Sequence, residues 1–230
     1  MTNIGCSFFQ SGVAKIFIGR KRKEYHVHTD LLCDRSKWFK TYFANPHEDR
    51  HNVYRPDIDA SDFEAFLQWL YTSCLHLPYA PPNQSVRPLL YLYFLATKFE
   101  CEMLCNVIMD GVRYYYRDAE SLPLHDVLFV YSKCRYPNPL RTFMVTGWTY
   151  DVLQDEENRI DVVYGDEVGS VLEKGGDLAK DLYREMMDRA VRHRDEEGGD
   201  NPYLKSYPLT FHIHDDTPQC DECKDKERFQ

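Results

Sequence analysis

Two stretches of this chain set metal- and thiol-type side chains at spacings that could support chemistry. The first is "HVHTDLLCDRSKWF", in which His26 and His28 stand two apart and Cys33 follows, with Asp30 and Asp34 nearby. Two imidazoles and a thiolate are a zinc-type ligand set. However, His26 and His28 share one face of a strand, whereas Cys33 already lies in the next helix. Three ligands would have to converge from elements engaged in packing. Asp30 and Asp34 have no nucleophile or base beside them in the pattern and read as solvated.

The second stretch is His212-x-His214 followed by Cys220-x-x-Cys223. On an extended segment, residues two apart point the same way, and Cys-x-x-Cys can wrap one ion in a tight turn. His212, His214, Cys220 and Cys223 are therefore candidate ligands of a structural zinc site, and the two cysteines alone are a candidate redox dithiol. A dithiol of that kind expects a preceding βαβ unit, which the pattern lacks. The structural alternative has Tyr203, Leu204, Tyr207, Leu209, Phe211 and Ile213 tuck the tail onto helices.

Other chemistry finds no support in the residues. There is no Gly-rich phosphate loop, no Gly-x-Ser-x-Gly and no His-Glu-x-x-His. Glu156-Glu157 and Glu196-Glu197 lie in charge runs, where a solvated surface explains them. Trp69-Leu70-Tyr71 sits at helical spacing and reads as core, with Trp69 largely buried. No catalytic or cofactor-binding residue is assigned, and no cofactor is expected. The net charge of -9 disfavours direct nucleic-acid binding, which needs clustered cations that release counterions. The dense basic run Arg20-Lys21-Arg22-Lys23 is read as the turn of a hairpin, with a nuclear-import signal as the alternative.

The composition, 43% hydrophobic and 28% charged over 230 residues, is that of a globular chain. Its 17 Tyr, 13 Phe and 3 Trp suit interfaces as well as cores. The opening "MTNIGCSFFQSG" lacks the pattern of a signal peptide, and "PLLYLYFLAT" falls short of the ~20 apolar residues that span a bilayer. These features predict a soluble, intracellular protein of the cytoplasm or nucleus, with no membrane contact. Eight cysteines then read as thiols, with Cys33, Cys74, Cys101, Cys105 and Cys134 among apolar neighbours.

The elements that would position these residues follow from periodicity. "AKIFIG" alternates with Ile16 and Ile18 on one side, and "EYHVH" puts Tyr25 and Val27 opposite His26 and His28, which predicts a hairpin. Leu31 and Leu32 begin a helix, and Ser36 is the N-cap of a second, aromatic-faced one carrying Trp38, Phe39, Tyr42 and Phe43. A short strand is expected at Asn52 to Arg55. A helix capped by Asp59 or Ser61 then carries Phe63, Phe66, Leu67 and Leu70. Pro78, Pro81 and Pro82 force a loop. Leu89, Leu92, Tyr93 and Ala96 mark the next helix, and Met103, Leu104, Val107 and Ile108 the one after it.

From Asp118 onward the pattern is helical. Leu124, Val127, Leu128 and Tyr131 form one face, and Leu140, Phe143 and Met144 start another. Val168 to Arg194 is one long helix or one broken near Gly175-Gly176. A polar tail, loosely held in part, runs from 199 to 230. No internal repeat is evident.

Three blocks in this order resemble a known family. Tyr25-x-Val27-His28, Leu31-Leu32 and Ser36-x-x-Phe39 are similar to the opening motif of the BTB/POZ domain. Phe63-x-x-Phe66-x-x-Trp69-Leu70-Tyr71-Thr72 is similar to its "W-L-Y-T-G" helix. "LYFLATKFECEMLCNVIMDGV", Leu92 to Val112, is similar to its paired helices. The chain most resembles the short BTB proteins of filamentous fungi. The resemblance implies an α+β fold: a BTB/POZ domain over 12–118, a small β-sheet capped by a helical cluster, followed by an all-helical extension over 119–198.

It also assigns His28 to the strand-to-helix junction, as a structural histidine bonded to backbone groups left free at the helix start. The function it implies is a non-enzymatic protein–protein interaction module. The implied partners are other proteins or a second copy in a homodimer, with a cullin and an adaptor or scaffold role in ubiquitin ligation by analogy. Two departures bear on this. The first strand opens Val13-Ala14-Lys15, where many animal members begin with an acidic residue that shapes a dimer-associated pocket. The loop "TSCLHLPYAPPNQ" lacks the glutamate that cullin-binding members often carry. The alternatives kept are a zinc or thiol-redox protein using the tail and a transcription-associated regulator.

Overall fold

The computed structural model describes residues 12–46, 48–49, 51–74, 85–119, 121–135, 137–154, 163–192, 201–204 and 211–218. These residues fall into two compact units. The first lies within Met1–Ala80, Ser85–Gly111 and Ile213–Thr217, and the second within Pro81–Gln84, Val112–His212 and Pro218–Gln230.

The first unit starts with the expected hairpin. β1 (Val13–Ile18) and β2 (Lys23–His28) pair antiparallel, Val13 opposite His28 and Ile18 opposite Lys23. The basic residues Arg20 to Lys23 are exposed in and beside the turn, which Gly19 opens at φ +70 and which is closed by the Arg22 N–H donating to the Gly19 carbonyl at 3.0 Å. β3 (Asn52–Arg55) adds to the far side of β1 in parallel, giving the order β2-β1-β3. Alternation then sorts the faces, so Ala14, Ile16, Ile18, Val27 and Val53 are buried and their neighbours point outward.

Helices α1 (Thr29–Arg35), α2 (Lys37–Ala44), α3 (Ala60–Thr72), α4 (Arg87–Lys98) and the first part of α5 (Glu102–Ala119) complete this unit. Ser36 caps α2 as its sequence predicts, its Oγ accepting the Phe39 N–H at 3.1 Å. Asp59 caps α3 through the Ser61 N–H at 2.8 Å. α3 ends on Ser73 in the left-handed region, φ 54, a conformation that favours glycine. Aromatic rings fill the centre. Phe99, in the α4–α5 turn, lies 4.8 Å from Phe39 and 5.1 Å from Phe66 between ring centroids. Trp69 is 2% exposed, as its helical spacing predicts. On α5 the expected face is only half right: Leu104 and Ile108 are buried, whereas Met103 and Val107 are exposed.

The second unit is helical among its described residues. It contains the later part of α5, α6 (Leu124–Lys133), α7 (Pro139–Gln154), α8 (Val163–Lys174) and α9 (Gly176–Arg192). The break between α8 and α9 falls at Gly175, φ +65, followed by Gly176 at φ +83. Here the sequence pattern for α6 is corrected. α6 buries Asp126, Val127 and Val130 and leaves Leu128 41% exposed. The cause is a partner on another element: the Tyr116 hydroxyl on α5 donates to the Asp126 carboxylate at 2.9 Å, which lets a charged residue occupy an inward position.

Similar polar contacts recur through this unit. Arg141, 3% exposed, lies 3.2 Å from the Asp181 carboxylate and stacks 4.1 Å from the Tyr131 ring centroid. Arg189 pairs with Glu185 at 2.9 Å, and Glu185 accepts from the Thr146 hydroxyl at 3.1 Å.

Asp151 makes the pH behaviour of this unit testable. Its carboxylate accepts the Leu122 N–H at 2.6 Å and the Tyr203 hydroxyl at 2.8 Å, both on one oxygen. Burial nonetheless pushes its pKa up to about 6, against those two hydrogen bonds and the Arg189 charge. A carboxyl whose folded pKa lies above its unfolded value binds more protons folded than unfolded. Its contribution is therefore fully present below about pH 4 and is lost as the pH rises through about 6. Asp57, held far below its usual value by the Arg55 hydrogen bond, acts in the opposite sense and only at lower pH. Asp151→Asn keeps an acceptor oxygen and removes the ionisation. The stability difference, variant minus wild type, is predicted to grow by at most about 3 kcal/mol between pH 4 and 7, read by urea unfolding at each pH.

Candidate interaction surface

β1, β2 and β3 turn the side chains of Val13, Lys15, Phe17, Glu24, His26, Asn52 and Tyr54 to the face opposite the core. Phe17 and Tyr54, cross-strand neighbours, stack with centroids 4.8 Å apart and planes 10° from parallel. Tyr54 is 53% and Val13 47% exposed. Arg22 reaches over the Tyr54 ring at 5.7 Å. Beside this aromatic pair, Glu24 takes the Lys15 ammonium at 3.4 Å and the His26 Nε2 at 2.7 Å. The His26 hydrogen bond, followed by Lys15, draws the Glu24 carboxyl below its usual range. Aromatic rings with a charged border are the composition of a protein-contact surface.

The histidines of the opening motif have separate partners. His26 faces Glu24, while His28 Nδ1 meets the Tyr71 hydroxyl at 2.9 Å and the His28 backbone N–H donates to the same oxygen at 3.3 Å. His28 is the N-cap of α1, yet its side chain makes no capping hydrogen bond. The expected bond from the imidazole to helix-start backbone is thus replaced by one to Tyr71 on α3. The reason is reach, since α3 packs close enough for its hydroxyl to serve both groups.

Cys33 lies in α1, and burial raises its thiol above the usual value. Burial likewise raises Cys101 and pushes Cys134 up to about 12, so these thiols hold their protons at neutral pH. Cys74, expected among apolar neighbours, is exposed. Among the described residues no group of three or more His, Cys, Asp or Glu could hold a metal ion. Of the tail candidates, His214 has its Nδ1 3.4 Å from the Thr217 hydroxyl and His212 is half-buried. Cys220 and Cys223 lie outside the described residues, as do Tyr207, Leu209, the paired glutamates and most of the "TSCLHLPYAPPNQ" loop.

One part of the tail has a built seat that its sequence did not announce. The Asn106 carboxamide donates to the Ile213 carbonyl at 2.8 Å and accepts the Ile213 N–H at 2.7 Å. Glu102 accepts the Asp216 N–H and the Thr217 hydroxyl, each at 2.8 Å. Lys37 pairs with Asp216 at 2.5 Å. No local signal in the sequence links Asn106 or Glu102 to a segment more than 100 residues away.

A family-model comparison matches residues 14–112 to the BTB/POZ domain. This segment is a BTB/POZ domain. The sheet, the aromatic helices α2 and α3 and the α4–α5 pair described above are the parts that the match covers. BTB/POZ domains are protein-interaction domains that take protein partners and self-associate. A comparison with curated proteins gave no match. No helix among the described residues is long and apolar enough to cross a membrane.

The His28–Tyr71 contact gives a direct check on the structural role of His28. His28→Ala and Tyr71→Phe are each predicted to cost about 1 kcal/mol, with a coupling of about 0.5 kcal/mol in a double-mutant cycle. Additive effects would contradict the contact.

Proposed function

We propose that the protein is a non-enzymatic interaction module that associates with itself or with another protein through the outward face of its BTB/POZ sheet. The observation that supports this is the exposed Tyr54 ring stacked on the half-buried Phe17, on a domain of an interaction family. Two copies meeting on such faces would bury the Tyr54 ring, and aromatic anchors are where interface energy concentrates. In this reading 12–118 is the associating domain, 119–198 a helical extension and 199–230 a tail, and the protein works inside the cell. An adaptor or scaffold role in ubiquitin ligation, with a cullin as partner, is the finer version offered by family analogy.

The test is light scattering coupled to size exclusion on the full-length chain and on Tyr54→Asp. A concentration-dependent dimer that Tyr54→Asp converts to a monomer is expected. A dimer that Tyr54→Asp leaves intact, or a wild-type monomer at all concentrations, would overturn self-association through this face.

A further inference from the structure

The seat of residues 213–217 has the construction of a peptide-binding groove. A single carboxamide, Asn106, pairs with both the N–H and the carbonyl of Ile213, which are the contacts a neighbouring β-strand would make. Recognition of that kind reads main chain and accepts any extended segment. Two further contacts narrow the choice. Lys37 meets the acidic side chain at Asp216, and Glu102 takes a backbone N–H together with the Thr217 hydroxyl. The pairing with Asp216 raises the Lys37 ammonium above its usual pKa. Ile213 borders a cavity of about 210 Å³ with Thr97, Cys101 and Cys105, which supplies an apolar wall.

The groove does not end at the seated segment. A cleft of about 600 Å³ continues beside Asp216 and Thr217, bounded by α1, α2 and the α4–α5 turn. Its lining adds Lys40 and Glu100 to the Lys37 and Glu102 that hold the seated segment, with the Arg35 side chain buried beneath and paired with Asp34. Its selectivity therefore comes from matched donors and acceptors at fixed places, not from net charge. Met103, exposed at its rim, adds an adaptable apolar contact.

We infer that this groove is a docking site for a short peptide of pattern Ile-x-x-Asp-Thr, bent at its Asp-Thr end, on a protein partner, and that the chain's own residues 213–217 occupy it in cis as a competing latch. The inference rests on the reading of this domain as an interaction module and names the chemistry of one partner. A tethered segment competes at an effective concentration of about a millimolar. A partner peptide of similar intrinsic affinity must therefore displace the latch or wait for it to open.

The experiment uses the full-length protein and a fluorescent, N-acetylated peptide of sequence IHDDTP, corresponding to residues 213–218, followed by fluorescence polarisation. The double variant Asp216→Ala, Thr217→Ala weakens the latch and leaves every groove residue in place. It is expected to bind the peptide at least about tenfold more tightly than wild type. Adding Asn106→Ala to that variant is expected to remove binding, with the circular dichroism of the fold unchanged. Equal affinity in wild type and latch variant, no saturable binding to the latch variant up to a millimolar, or binding that survives Asn106→Ala would each overturn the inference. Because Tyr54→Asp tests association on a different face, loss of the groove inference would leave that result standing, and the reverse also holds.

Discussion

The first unit depends on one buried hydroxyl. Ser36 is 1% exposed and joins three pieces of chain. Its N–H donates to the Leu32 carbonyl and closes α1, its Oγ accepts the Phe39 N–H to open α2, and its O–H donates to the Phe99 carbonyl at 2.5 Å. The Phe99 and Glu100 carbonyls also receive the Trp38 and Lys37 N–H groups at 3.4 and 3.3 Å. The unpaired amides of a helix start are thus met by the unpaired carbonyls of a turn. With the backbone so fixed, the Phe99 ring enters the cluster of Phe39, Phe63 and Phe66. The same node sets Lys37 on one side of the cleft and Glu102 on the other. The Lys37 contact to Asp216 therefore follows from how α1 and α2 are joined, while Asn106 on α5 holds Ile213.

The two units solve burial differently. The first is an apolar and aromatic core under a sheet, with its polar contacts at chain ends and caps. The second places ionic groups inside, as in Arg141 with Asp181 and Arg189 with Glu185. Buried ion pairs add little net stability, but losing one partner leaves an uncompensated charge that costs about 3–5 kcal/mol. Such pairs penalise any packing in which they are not matched.

Much of the first unit was legible because its signals are local. Alternation in β1 and β2, the serine before an aromatic helix and the Phe63 to Leu70 spacing each depend on neighbours in sequence. In the metal-type pattern at His26, His28 and Cys33, His26 meets Glu24, His28 meets Tyr71 and Cys33 lies in α1. What escaped depends on distant partners. Tyr71 takes the His28 imidazole, Tyr116 draws Asp126 inward against its polarity, and Asn106 receives Ile213, and no periodicity encodes any of these pairs. A polar residue on a helix reads as solvated until its acceptor is known.

Hydrogen exchange on Ser36→Ala separates a structural node from an ordinary helix cap. If Ser36 is the node that holds α2 to the α4–α5 turn, the amides of Lys37, Trp38 and Phe39 should all lose protection by about tenfold. The Asp216 amide seated on Glu102 should lose protection with them. Loss confined to the Phe39 amide would show that Ser36 is an ordinary helix cap and does not hold α2 to the α4–α5 turn.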